Sequence, residues 1–199
     1  MPDRAATDKY SRRRLDILMA AASVFAEKGF HGCRTQDIAD RLNLKQASLY
    51  YYFPTKESAL EAVCLYAVEE ATNRIRQITQ ATGAPLAKQI HDVIHAYLHD
   101  LDTHLDCMIV LAEQRRYLGP EQQVAVRAQT REYRTLLQQM LEEARASAQL
   151  RADIDCELAA RALIDLCHCA ALRLQRHPEQ DAKHIIDQYS QLFCKGIER

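Results

Sequence analysis

The sequence has few of the residues that build loops and no apolar run long enough to cross a membrane. Among its 199 residues are five glycines, five prolines and no tryptophan. So little glycine leaves small scope for phosphate-binding loops, and neither Gly-x-Ser-x-Gly nor His-Glu-x-x-His occurs. Its apolar runs fall well short of the about 20 residues that span a bilayer. We therefore expect no enzymatic activity, no catalytic residue, no cofactor and no membrane segment.

The cysteine pattern favours a reducing compartment. The first thirty residues carry too many charges for the apolar core of a secretory signal. An odd number of scattered cysteines is also unlike a disulfide framework. We expect free thiols in a cytoplasmic protein, at Cys33, Cys64, Cys107, Cys156, Cys167, Cys169 and Cys194.

Apolar residues recur at spacings of three and four, and no window alternates with period two. This pattern predicts an all-α fold of about nine helices, at roughly 11–28, 35–42, 46–51, 55–79, 85–103, 105–116, 120–147, 155–176 and 179–196. Ser11 and Thr35 are the expected N-caps of the first two helices, and Gly29 the expected residue after the end of the first.

Charge is distributed unevenly along a chain whose net charge is −1. Residues 1–56 hold ten Lys and Arg against six Asp and Glu, and the remainder holds 16 against 21. A basic N-terminal quarter on an acidic body indicates contact with a polyanion. The segment "KYSRRR" (9–14) could add phosphate contacts, or could be a solvated charge run.

Two short predicted helices separated by Asn43-Leu44-Lys45 form a helix-turn-helix pattern. Asn43 tolerates the left-handed backbone that such a turn needs. The expected core side comprises Ile38, Ala39, Leu42, Leu44 and Leu49. The expected outward side comprises Gln36, Lys45, Gln46, Ala47, Ser48 and Tyr50, residue types that suit a major groove.

The stretches "ILMAAASVFAEKGF" (17–30), "TQDIADRLNL" (35–44) and "SLYYYFPTKESAL" (48–60) resemble the DNA-binding domain of TetR-family transcriptional repressors. The resemblance covers about a quarter of the chain, and Asn43 stands where the family usually has glycine. It implies a helix-turn-helix DNA-binding domain at 1–54 and a helical effector-binding and dimerisation domain at 55–199.

The resemblance also implies roles for individual residues on double-stranded DNA. Contacts to phosphates are implied for Thr35, Ser48, Tyr50, Tyr52 and Lys56. Contacts to bases are implied for Gln36, Lys45, Gln46, Ala47 and also Tyr50. Tyr51 and Phe53 are expected to pack between the small domain and the following long helix.

Similarity to the family implies a homodimer formed by the last two helices, about 155–196, on a pseudo-palindromic operator. It also implies release by a small hydrophobic effector. The stretches 131–166 and 187–197 are similar to a subgroup that senses acyl-CoA thioesters, although the chain has Cys167-His168-Cys169 where that subgroup usually has tryptophan.

Metal or redox sensing is the alternative within the same fold. His91, His95 and His99 are spaced four apart, near His104 and Cys107, and histidines at i and i+4 can share a metal. At 100° per residue, however, the three drift around the helix, and Cys167 and Cys169 diverge by about 200°. Cys33 is a candidate redox thiol. A helical metal-binding protein without DNA function is a further alternative, but no metal site is expected.

Overall fold

The protein is helical throughout the part that the computed structural model describes, which is residues 4–80, 83–98 and 105–198. Over these residues it forms nine α-helices, one 3-10 turn after α6 (Arg115–Tyr117), and an isolated antiparallel bridge between Leu150 and Glu198. The all-α prediction is confirmed. The helices are α1 (Arg4–Gly32), α2 (Thr35–Arg41), α3 (Gln46–Tyr52), α4 (Lys56–Gln80), α5 (Leu86–Leu98), α6 (Leu105–Gln114), α7 (Pro120–Ala146), α8 (Cys156–Arg176) and α9 (Ala182–Ile197).

The chain divides into two compact units, and the boundary between them falls inside α4. The first unit comprises Met1–Ala67 and Asp106–Val126, and the second comprises Val68–Leu105 and Arg127–Arg199. The first unit therefore contains α6 and the 3-10 turn as well as the three N-terminal helices. The predicted boundary between a DNA-binding domain at 1–54 and an effector-binding and dimerisation domain at 55–199 concerns function, and it stays a prediction.

In the first unit, α1, α2 and α3 bury a shared apolar core. Ile17 and Phe25 of α1, Ile38 of α2 and Leu49 of α3 are all fully buried. The turn between α2 and α3 passes through Asn43 at φ 53°. Asparagine adopts this left-handed conformation at low cost, as the sequence predicted.

Two predicted N-caps are wrong, although the predicted start of α2 at Thr35 is confirmed. α1 begins at Arg4, so Ser11 lies inside the helix rather than capping it. α2 begins at Thr35, and the capping position falls on Arg34, whose backbone N–H donates to the carboxylate of Asp37 at 2.7 Å. The carboxylate of Asp37, two residues after the start of the helix, thus accepts the N–H of the capping residue itself, as the third helical residue does in a capping box.

The second unit places α5 against α8 and α9. α5 has a strongly one-sided apolar face, which includes the fully buried Ile90 and Ile94. Asp155 caps α8, its carboxylate accepting from the backbone N–H groups of Glu157 and Leu158 at 2.9 and 3.1 Å. Among the described residues, no helix combines the length and apolar character needed to cross a membrane.

Gly29 interrupts α1 with φ 70° and ψ 162°, a region open almost only to glycine. A Cβ added there would meet nothing within 4 Å. We therefore expect Gly29→Ala to lower the free energy of unfolding by about 1–3 kcal/mol, wholly through backbone strain. Urea denaturation followed by circular dichroism measures the effect.

Gly196 provides the matched control, because it lies inside α9 and an added Cβ also meets nothing within 4 Å. Gly196→Ala should raise the free energy of unfolding, by up to about 1 kcal/mol, through helix propensity. Equal stability of wild type and Gly29→Ala would contradict the strained conformation.

Candidate nucleic-acid interface

The nine residues predicted to contact DNA lie on α2, the turn, α3 and the first residue of α4. Four of them are exposed: Gln36, Lys45, Ala47 and Tyr50. The other five are partly buried: Thr35, Gln46, Ser48, Tyr52 and Lys56. The helices thus display a largely polar surface, and the core residues behind it are apolar.

Thr35, Gln46 and Tyr50 form one hydrogen-bonded unit. The Gln46 side-chain amide donates to Thr35 Oγ1 at 2.6 Å and lies 3.3 Å from the Tyr50 hydroxyl. The Thr35 and Tyr50 hydroxyl oxygens are 3.1 Å apart. This unit joins the first residue of α2 to the first two turns of α3. It brings together Gln46, predicted for bases, Thr35, predicted for phosphates, and Tyr50, predicted for both.

Lys56 is tied to the end of α1. Its ammonium donates to the backbone carbonyls of Phe30 at 2.8 Å and Cys33 at 3.0 Å, and it lies 4.3 Å from the centre of the Phe30 ring. An ammonium has three donors, and two are used within the chain. Its contact with a DNA phosphate stays a prediction, but its structural role was not foreseen.

The segment after Gly29 also receives contacts from α6 and the 3-10 turn. The Phe30 backbone N–H donates to the buried Gln114 side-chain oxygen at 3.2 Å. The Phe30 ring stacks on Tyr117, with 5.6 Å between ring centres and 14° between their planes. Four elements therefore meet at residues 30–33, directly before α2.

The aromatic run divides differently from the prediction. Phe53 is buried as expected, with the Arg14 guanidinium 5.0 Å from its ring centre. Tyr51 is 72% exposed, so its predicted packing role is wrong. It projects from the surface of α3, where Tyr10 of α1 lies 5.9 Å away edge to face. Sequence reasoning missed Tyr10, although it begins the basic "YSRRR" segment.

Acidic side chains in this unit are partly neutralised by ion pairs. Lys28 lies 3.0 Å from Asp37, and Arg41 lies 2.5 Å from Glu27. Hydrogen bonds from the Arg34 backbone amide and the Lys28 ammonium lower the pKa of Asp37. These pairs are solvent-exposed and add little to stability, but they offset the carboxylates nearest the helix-turn-helix.

The described residues give no support to metal or redox sensing. They contain no group of three or more His, Cys, Asp or Glu side chains arranged to hold a metal ion. His91 instead contacts Asp187 at 3.2 Å, while His99 and His104 lie outside the described residues. Cys33 is buried, and desolvation raises the pKa of its thiol to about 11, which disfavours the reactive thiolate.

The cysteines follow the prediction in two respects. All seven are free. Cys167 is buried and Cys169 exposed, as the helical angle between them requires.

A basic tri-helical head with a helix-turn-helix, attached to a helical body, defines a DNA-binding regulator. The family model described as bacterial regulatory proteins of the tetR family matches residues 17–63. A second model, the tetracyclin repressor-like C-terminal domain, matches residues 83–197. The chain belongs to the TetR family of transcriptional regulators, and it is not an enzyme.

Relatives of similar length support this assignment. The repressor KstR2 of Rhodococcus jostii is 24% identical over 192 residues, which cover 96% of this chain and 94% of the relative. The solved structure of the ketosteroid regulator KstR2 of Mycobacterium tuberculosis superposes with a TM-score of 0.81 at 22% identity, covering 94% and 95% of the two chains. The structure of FadR of Bacillus subtilis in complex with stearoyl-CoA superposes with a TM-score of 0.73 at 20% identity, covering 92% of this chain and 98% of FadR.

Lys56→Ala should destabilise the first unit, because it removes two charge-assisted hydrogen bonds and leaves the Phe30 and Cys33 carbonyls without this donor. We expect a loss of about 1.5–3 kcal/mol in the free energy of unfolding. Lys45→Ala is the control, since Lys45 is exposed and its removal should change stability by less than about 0.5 kcal/mol. Urea denaturation without DNA measures both. Equal effects of the two substitutions would mean that the Lys56 contacts contribute nothing to folding.

Proposed function

We propose that this protein is a transcriptional repressor that binds a pseudo-palindromic operator as a homodimer and is released by a small hydrophobic effector. The observation that carries the proposal is the Thr35–Gln46–Tyr50 unit, which lies beside the exposed Lys45 of the turn and the exposed Ala47 of α3. These side chains form a largely polar surface on α2, the turn and α3, within the residues that match the tetR family model.

On the proposed operator, α3 enters the major groove. Gln46 and Gln36 present amides that can pair with adenine, and Ala47 can contact a thymine methyl. Thr35, Ser48, Tyr50, Tyr52 and Lys56 contact phosphates and fix the register of the helix on the duplex. Because Thr35 and Tyr50 also bond Gln46, the phosphate contacts orient the base-reading amide.

The proposed dimer forms through α8 and α9. Large apolar side chains on these helices are exposed in the single chain, Leu158 at 63% and Leu192 at 67%. An exposed leucine on each of the two helices favours burial of this surface against a second copy of the chain. A dimer would also hold two copies of α3 about one duplex turn apart, roughly 34 Å, as a pseudo-palindrome requires.

The proposed effector is an acyl-CoA thioester or a similar lipophile. FadR binds stearoyl-CoA and KstR2 is described as a ketosteroid regulator, so two relatives point to hydrophobic metabolites. An effector can bind more tightly to a dimer conformer whose two DNA-binding domains are spaced wrongly for the operator. The loss of operator affinity then equals the difference between the effector's affinities for that conformer and for the DNA-binding conformer. Such couplings typically amount to ~1–3 kcal/mol. We expect α4 to transmit the effect of ligand binding, because parts of it belong to each of the two compact units.

Selection of random duplexes by the purified protein tests the proposal, followed by release assays with a panel of acyl-CoAs and steroid thioesters. A pseudo-palindromic motif that one thioester releases is the expected result. A motif that none of them releases would exclude this effector class and keep the repressor. Recovery of no motif would contradict sequence-specific binding.

Gln46→Ala should lower affinity by about 1–3 kcal/mol at particular base positions and relax the preference there. Binding to the selected operator and to its single-base variants measures this. Gln139→Ala, which removes an exposed amide on α7, is the control and should bind as wild type does. An equal loss on all variants would contradict direct readout by Gln46.

A further inference from the structure

A hollow of about 470 Å³ opens between α1 and the outer face of α3. Arg13 of α1 lines one side of it, and Ala47, Ser48, Tyr51 and Tyr52 of α3 line the other, with Leu44 from the turn. Tyr51 carries no predicted DNA contact, and Arg13 lies in the segment 9–14, for which the sequence left phosphate contacts and a solvated charge run as alternatives. The hollow nevertheless adjoins Ala47 and Ser48, which the proposed function places at the DNA.

Two of the lining tyrosines, Tyr51 and Tyr52, pack against a third, Tyr10 of α1. Tyr10 of α1 stacks on Tyr52, with 5.0 Å between ring centres and 27° between planes. Tyr51 lies edge to face against both Tyr10 and Tyr52, at 5.9 and 5.1 Å. We name Tyr10, Tyr51 and Tyr52 the tyrosine cluster. Its edge-to-face and stacked contacts hold Tyr51 in place although that side chain is 72% exposed.

The chemistry of the hollow suits an anion. Arg13 supplies a guanidinium, and its ion pair with Asp16 is long, at 3.8 Å, with both side chains over 40% exposed. Such a pair is weak and can yield the guanidinium to a phosphate. Phenolic and seryl hydroxyls line the same space and can donate hydrogen bonds. Lys56, in contrast, already gives two of its donors to carbonyls of the chain.

From this arrangement we infer that the hollow is a second DNA-backbone site, in which Arg13 and the hydroxyl of Tyr51 bind a phosphate flanking the bases that α3 reads. Tyr10 is a positioning residue that acts through the rings of Tyr51 and Tyr52. The inference rests on the proposed operator binding and extends it from α3 to the N-terminal part of α1. The occupant is the phosphodiester of duplex DNA, because the hollow adjoins α3 and combines a cation with hydroxyl donors.

The test measures binding of the full-length protein to its selected operator over a range of salt concentrations. Arg13→Gln should reduce the slope of log K against log [salt] by about 0.9 per half-site, because one phosphate-bound cation is lost. Arg12→Gln is the matched control: it removes the same charge from a neighbouring exposed residue that does not line the hollow. Arg12→Gln should preserve most of the slope of log K against log [salt]. An equal reduction of the slope in the two variants would mean that both arginines act through the general positive potential of this segment. That result would overturn the phosphate site at Arg13.

Tyr51→Phe removes only the hydroxyl and keeps the ring contacts. It should weaken operator binding roughly 3- to 10-fold per half-site, the effect of losing one ordinary hydrogen bond, without lowering thermal stability. Tyr10→Phe should bind as wild type does, whereas Tyr10→Ala should weaken binding by releasing Tyr51. Wild-type affinity of Tyr51→Phe would overturn the role of its hydroxyl.

Ethylation interference maps the phosphate itself. In wild type, one phosphate flanking each half-site should interfere with binding, and that interference should disappear in Arg13→Gln. Its persistence in Arg13→Gln would overturn the assignment. The outcomes also separate this inference from the proposed function: if wild type selects a motif and all the hollow variants bind it equally well, only the inference fails.

Discussion

The geometry of the DNA-binding head depends on how the last residues of α1 are held. Gly29 breaks the helix, and the carbonyls that follow it need donors. Lys56 supplies them from the start of α4, while Gln114 accepts the Phe30 N–H from the end of α6. Because α2 begins only two residues after Cys33, these bonds fix the direction in which the helix-turn-helix leaves α1.

A lysine held in this way has only one donor left for the phosphate contact proposed for it. Charge-assisted bonds to two carbonyls are individually stronger than neutral ones, so the ammonium is costly to withdraw. The proposed DNA interface therefore needs additional cations, and we expect the arginines at 12–14 of α1 to supply them. The tyrosine cluster joins that part of α1 to α3, so the basic segment and the recognition surface form one face.

The features that the sequence predicted are those set by local rules. The all-α class follows from the spacing of three and four between apolar residues, and the left-handed turn at Asn43 follows from the conformational tolerance of asparagine. The features it missed depend on residues distant in sequence. Gln114 and Phe30 are 84 positions apart in the sequence. Tyr10 and Tyr51, whose rings are in contact, belong to the first and the third helix. For Tyr51, a helical run of aromatics does not reveal which ring faces the core, because only the packed neighbours decide it.

Magnitudes limit how an effector signal can move the head. The two hydrogen bonds from Lys56 to carbonyls, being charge-assisted, together contribute about 1.5–3 kcal/mol. Breaking both would offset the ~1–3 kcal/mol by which effectors typically change affinity. On the proposed mechanism, we therefore expect the first turn of α4 to move together with Phe30, Cys33 and the helix-turn-helix as one body. The Thr35–Gln46–Tyr50 unit would stay intact in such a movement.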